Sequence, residues 1–173
     1  AWGHRALVLE NRPDEGSFRP ATPDGTWRVA CLGRVRDLAT ADLVVQALTS
    51  MPLDQRPVLR WAGDGVAAEA ARQRLANAEL EVEVEGAFAH QDLDRLHDGV
   101  DVSIALYDPS RGNIADGALP VRMFEAAVRG VPSVVNADAL MGDIATSEGI
   151  GVACEWNDAE ALVAALHDAR ALT

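Results

Sequence analysis

From Trp27 onward, short apolar runs suited to strands alternate with segments of helical spacing. This alternation constrains the fold more than any single motif. Strands are expected at 28–32, 57–62, 80–85, 100–106, 133–136 and 151–154, and helices at 40–51, 66–75, 91–97, 120–129 and 158–171. In 40–51, Ala41, Leu43, Val44, Ala47 and Leu48 recur on one side, the period of an amphipathic helix. In 80–85 the order Leu-Glu-Val-Glu-Val-Glu has period two, as in a strand with one wet face. Its row of like charges suits a sheet edge. Six strands interleaved with helices imply a doubly wound, Rossmann-like α/β domain, a parallel sheet of about six strands with helices on both faces. Ligands of such sheets bind beyond the carboxyl ends of the strands. The expected site therefore lies among loops 33–39, 63–65, 86–90, 107–119 and 136–143. Loop 107–119 is long for a βα connection, which points to function.

The chain has 173 residues, 49% of them apolar, enough for one full core. Residues 1–26 read as a connector, rich in Pro, Asp, Gly and Ser between Glu10 and Asp24, and 27–173 as the folded domain. The start at Ala1 suggests one part of a longer protein. No apolar run reaches bilayer length and no signal peptide is evident, so a soluble, cytoplasmic protein is expected. The two cysteines, Cys31 and Cys154, fall in strand-like segments and read as buried, reduced thiols. Net charge is −12 and all fifteen basic residues are arginine. That surface disfavours nucleic acid, which needs many phosphate-neutralising cations. The absence of lysine excludes a Schiff base, a P-loop lysine and a lysine general base.

The residues from Gly117 to Asn136 carry the richest local signal. Pro120 opens a helix, Gly130 ends it, Pro132 follows and a β-branched strand comes next. Arg122 and Glu125 are three apart and so share a helix face near its positive end, where free N–H groups suit phosphate. They read either as a surface ion pair or as ligand contacts. Glu125, among the apolar Met123, Phe124 and Ala127, is placed to accept ligand hydroxyls. Arg34 follows the first strand and reads as solvated or as bound to an anion. Gly63-Asp64-Gly65 lacks the third glycine of a dinucleotide fingerprint, because Ala68 stands there, so it reads as a tight turn. Asp92 and Asp94 have the spacing of a metal pair and also of a helix start. His4, His90, His97 and His167 show no metal-ligand spacing, and no Gly-x-Ser-x-Gly elbow supports a hydrolase.

The order of these features resembles the C-terminal, donor-binding half of retaining GT-B glycosyltransferases of the group 1 type. Asn11-Arg12-Pro13-Asp14 with Phe18-Arg19-Pro20 is similar to the family's interdomain segment, and Val29 to Arg34 to its first donor-domain strand ending in Gly-Arg. Leu59 to Gly65, Val84 to Phe88 and Asp101-Val102 resemble its next strands and turns. Pro120-x-Arg122-x-x-Glu125-Ala126 with Gly130-x-Pro132 resembles its Pro-x-Lys-x-x-Glu and Gly-x-Pro signature. The match covers essentially the whole chain. It implies transfer of a sugar from a nucleotide-diphosphate sugar, with no metal and no cofactor beyond that substrate. Gly33 and Arg34 would meet the diphosphate, and the backbone of Leu119, Pro120, Val121 and Arg122 would help cradle it. Gly86, Ala87 and Phe88 would border the nucleobase, and Glu125 would take the ribose hydroxyls. Arg34 and Glu125 would be the catalytic pair. The partners implied are the nucleotide sugar and the protein's own N-terminal acceptor domain, through which a peripheral membrane contact is open. Without that domain the chain is expected to transfer no sugar alone.

Two positions depart from the family pattern. Gly117 stands where many relatives carry a first glutamate, with Asp116 beside it. Ala39 stands near the place of a family lysine, where Arg36 offers the nearby charge. These departures keep a non-catalytic GT-B domain open, and a GT-B sugar-nucleotide epimerase shares the fold. Asp108, at a strand end, also admits comparison with a receiver domain's phospho-acceptor, although receivers require a lysine.

Overall fold

The computed structural model describes residues 25–172. The connector expected at 1–26 therefore lies almost wholly outside them, as do His4 and the segment from Asn11 to Pro20. Six parallel strands form one sheet: β1 (Arg28–Leu32), β2 (Val58–Ala62), β3 (Val82–Glu85), β4 (Val102–Ala105), β5 (Ser133–Asn136) and β6 (Gly151–Cys154). Their order is β3-β2-β1-β4-β5-β6, so the chain winds outward one way from β1 and then the other way from β4. β3 is an edge strand, as its glutamate row implies.

The strands pack both faces, and their side chains divide by period two. Val29 and Cys31 of β1 join one core, with Val102 and Ile104 of β4 and Val134 of β5. That face is covered by α1 (Ala39–Ser50), α2 (Ala68–Ala76) and α7 (Ala159–Arg170). The alternate residues Ala30 and Leu32 face the other way, against Leu96 of α3 (Leu93–His97) and Ala126 of α5 (Val121–Ala127). Further along that face, Ala105 and Val135 meet Ile114 of α4 (Gly112–Ala115), Met123 of α5 and Met141 of α6 (Leu140–Ser147). Both cysteines are buried and free. No helix of the described residues is long and apolar enough to cross a membrane.

Three expectations are corrected. Residues 107–119 are not all loop, because they contain the four-residue α4. Residues 136–143 run into an eight-residue helix, α6, that the sequence pattern did not reveal. Its first turn carries Gly142, a poor helix former. A Cβ there would collide with the carbonyls of Asn136 and Ala137, so close packing on β5 selects glycine. The helix expected at 120–129 is shorter, Val121–Ala127, and Arg129 lies beyond its end.

Candidate functional site

The winding reverses between β1 and β4, and the two strands' exits open a crevice at the carboxyl edge of the sheet. Two loops supply most of its wall. The first follows β1 and carries Gly33, Arg34 and Arg36; the second follows β4 and carries Tyr107 and Arg111. The start of α5 adds Leu119, Pro120 and Arg122. One part of the crevice encloses about 200 Å³ between these residues and α4.

The β1 loop is braced from below by the Gly63-Asp64-Gly65 turn. Gly33 N–H donates to the Ala62 carbonyl at 2.9 Å and Val35 N–H to the Asp64 carbonyl at 2.7 Å. A Cβ on Gly63 would collide with the Gly33 carbonyl, and one on Gly65 with that of Val35. The turn is thus a support for the loop that bears Arg34, which agrees with its reading as a structural turn.

Four guanidiniums, from Arg34, Arg36, Arg111 and Arg122, converge on this crevice. Among the described residues none of them is ion-paired with a carboxylate. Elsewhere the arginines are engaged: Arg60, Arg72, Arg74, Arg95 and Arg129 each hold a carboxylate, and Arg56 donates to three backbone carbonyls. Arg122 reaches from α5 across to β1. Its guanidinium lies against Gly33, where an added Cβ would come within 3.0 Å of Nη2. It also stands over the Tyr107 ring, 4.9 Å from the centroid, and Arg111 stands 5.6 Å from the same centroid. Burial pushes the Tyr107 hydroxyl up, and the Arg122 charge opposes it. Burial likewise raises the Cys31 thiol against the pull of Arg122. Cys31 is therefore an inert floor of the crevice rather than a nucleophile.

Of the two readings open for Arg122 and Glu125, the mutual ion pair is not formed. Glu125, only 7% exposed, turns toward α3. Its Oε2 accepts from Arg129 Nη1 at 2.9 Å, and its Oε1 lies 3.5 Å from His90 Nδ1. Arg129 also donates to Asp94 at 2.8 Å and to the Glu125 carbonyl at 2.8 Å. Asp94 is thus committed to an ion pair, and Asp92 accepts from Ala89 N–H at 2.8 Å. The two aspartates order the 89–94 segment and are not poised as a metal pair. Among the described residues no group of three or more His, Cys, Asp or Glu side chains could hold a metal.

Gly86 and Ala87 follow the edge strand β3, and Phe88 packs against the core cluster that holds Leu32, Ala62 and Ala126. His90, two residues beyond Phe88, connects this segment to Glu125 Oε1, but neither Gly86 to Phe88 nor Glu125 is among the residues that line the crevice. Leu119, Val121 and Arg122 have backbone N–H groups with no partner among the described residues. Asp108 does not present a free carboxylate: it accepts from Ser110 N–H at 2.8 Å, which lowers its pKa and shapes a turn. Gly117 has φ +85°, a left-handed conformation that a glutamate would adopt only under strain. Ala39 begins α1, with Asp37 Oδ1 accepting from its N–H at 3.1 Å.

Sequence reasoning found Arg34 and Arg122 but gave Tyr107 and Arg111 no role. The Asp108-Pro109 pair could have flagged the turn that brings Arg111 back, whereas the Asn136 clamp on Tyr107, 29 residues away, leaves no spacing to read.

Comparison with solved structures gives consistent relatives. The catalytic domain of the cholesterol-alpha-glucosyltransferase from Helicobacter pylori superposes with a TM-score of 0.64 at 15% identity, over 83% of this chain and 85% of that one. The lipopolysaccharide outer core galactosyltransferase WaaB superposes with a TM-score of 0.70 at 14% identity, over 95% of this chain and 46% of that one. HepE of Anabaena, in complex with UDP-glucose, gives 0.62 at 15% identity, over 83% of this chain and 38% of that one. The chain thus spans less than half the length of the last two. At these identities the likeness is one of fold, a Rossmann-like half of the GT-B architecture. Comparison with curated protein sequences gives no significant match. The model of one family matches residues 14–171, nearly the entire chain, and on that match the protein belongs to the glycosyl transferases group 1 family.

Proposed function

We propose that this chain is the donor-binding domain of a glycosyltransferase that moves a sugar from a nucleotide-diphosphate sugar to an acceptor, with retention and without a metal. The observation that carries the reading is the set of four guanidiniums, none of them ion-paired with a carboxylate among the described residues, at the point where the sheet reverses. In a chain of net charge −12, such a cluster suits a multiply charged anion. Cleavage of the sugar–phosphate bond leaves a nucleoside diphosphate with one more negative charge than the bound donor. Fixed positive groups aimed at that charge lower the barrier, because they need no reorganisation as it develops. The guanidiniums of Arg34 and Arg122 and the free N–H groups at 119–122 would serve this purpose, so no metal is needed for it. Glu125 Oε1 would accept the ribose hydroxyls, with Arg129 holding the carboxylate in place. Gly86, Ala87 and Phe88 would border the base. That HepE of Anabaena has been seen with UDP-glucose is consistent with a nucleotide-sugar ligand.

Acceptor binding is assigned to a domain beyond this chain, so the chain alone is expected to bind donor and transfer no sugar. The left-handed backbone at Gly117 favours a second reading, a domain that binds nucleotide without turnover. Calorimetric titration with UDP, GDP and ADP and their sugar conjugates tests the first. One base series should bind, weakened in both Arg34→Ala and Glu125→Gln. A folded chain that binds none of them would sink the donor-site reading. Turnover by the full-length protein, or its absence with binding intact, separates the two.

A further inference from the structure

Tyr107 is the only tyrosine in the chain, and two separate pieces of local chemistry hold it. The first is the buried carboxamide of Asn136, at the end of β5. Tyr107 N–H donates to Asn136 Oδ1 at 2.9 Å, and Asn136 Nδ2 donates to the Tyr107 carbonyl at 2.8 Å. The ladder between β4 and β5 ends at Ala105 opposite Val135. The carboxamide therefore substitutes for a peptide group just where the two backbones part. The second is the turn that follows. Arg111 N–H donates to the Asp108 carbonyl at 3.1 Å, and the Asp108 carboxylate accepts from Ser110 N–H. Asp at the first position and Pro at the second are the residues such a turn prefers. The turn brings the Arg111 side chain back over the ring it has just left.

One ring thus carries two guanidiniums, Arg111 and Arg122, that come from different elements. Cation–π attraction holds each of them, while their like charges repel. Neither forms an ion pair with a carboxylate among the described residues; the charge of the Asp108 carboxylate, tied into its own turn, acts on Arg111 alone. Side chains ordered in this way before binding spare an anion the cost of ordering them on arrival.

We propose that Tyr107 is a positioning residue: fixed by Asn136, its ring sets Arg111 and Arg122 as a pair for the two phosphates of a nucleoside diphosphate. The inference rests on the donor-site reading. It adds that affinity for the diphosphate, and not for the nucleoside, runs through an aromatic ring.

The test labels the 173-residue chain with 3-fluorotyrosine, whose single site gives one 19F resonance. Pyrophosphate and UDP should shift that resonance, and uridine should not. By calorimetry, Tyr107→Leu should weaken UDP binding about tenfold, the combined loss of two cation–π contacts. Tyr107→Phe, which keeps the ring, should stay within about threefold. Arg111→Ala should weaken UDP in the parent chain but add little in the Tyr107→Leu background, as expected if one acts through the other. Parent affinity in Tyr107→Leu, or additive losses in the double variant, overturns the positioning role and leaves the donor site standing. If Tyr107→Leu does not fold, the resonance decides: UDP binding in the parent chain with no 19F shift overturns the proposal. A parent chain that binds neither pyrophosphate nor any of UDP, GDP and ADP overturns both it and the donor-site reading.

Discussion

Gly33 meets two demands that no other residue type meets together. Its φ of +121° lies in the region that side chains rarely adopt, and the place of its missing Cβ is taken by the Arg122 guanidinium. Gly33→Ala should therefore lower stability by about 1–3 kcal/mol, the usual cost of a forced backbone conformation. It should also weaken anion binding by displacing Arg122. Urea unfolding reads the first effect and a UDP titration the second; an unchanged midpoint would show that the loop relaxes freely. At this scale part of the site is readable from the chain alone. Gly33, Arg34 and Arg122 sit in short patterns whose chemistry follows from strand and helix ends. The pairing of Glu125 with Arg129 has the readable i,i+4 spacing of a helical ion pair; what the chain alone does not show is that both side chains are buried and that Arg129 also holds Asp94 of α3.

The elements follow from pattern where pattern has a period. The five residues expected on the buried side of α1, Ala41, Leu43, Val44, Ala47 and Leu48, are the ones that are buried. β3 takes the sheet edge that its alternating glutamates suit. α4 and α6 escaped because neither has a long apolar period, and α6 contains a glycine whose reason is a neighbour's carbonyl. Helix ends carry their own testable chemistry. α7 is capped by Asp158, whose Oδ1 accepts from Ala161 N–H at 2.9 Å. Asp158→Ala should cost about 0.5–2 kcal/mol, the range for a lost N-cap, while Asp158→Asn should cost less. Thermal unfolding of the two variants against the parent checks this. Equal losses would assign the effect to the aspartate's charge at the helix dipole rather than to the hydrogen bond.

At the scale of the whole molecule, two cores clasp one sheet, and the crevice is a consequence of where the winding reverses. Stability should depend on pH through that core. His97 is buried, its Nδ1–H donates to the Leu93 carbonyl at 2.8 Å, and burial holds its pKa below the usual histidine value of 6.5. An unfolded chain binds the proton first, so the stability present above pH 6.5 is lost as the pH falls toward the folded value. Glu69, Glu85 and Asp108 have lowered pKa values too, but their window opens only near the ordinary carboxyl values of 4.5 and 3.8. Between about pH 6.5 and 5 the loss should therefore belong to His97. His97→Gln should flatten urea midpoints over that interval; an undiminished slope would point to another group.

Donor binding by this chain turns on whether the arginine crevice recognises a diphosphate. The most direct measurement is calorimetric titration of the chain with UDP, UMP and uridine, or the matching series of whichever base binds, at low and high salt. Affinity should rise with each added phosphate and fall with salt. Arg34→Ala should weaken the diphosphate about tenfold or more, as expected for loss of a charged hydrogen bond, while leaving the nucleoside unchanged. Equal affinity for uridine and UDP, insensitive to salt and to Arg34→Ala, would contradict the account.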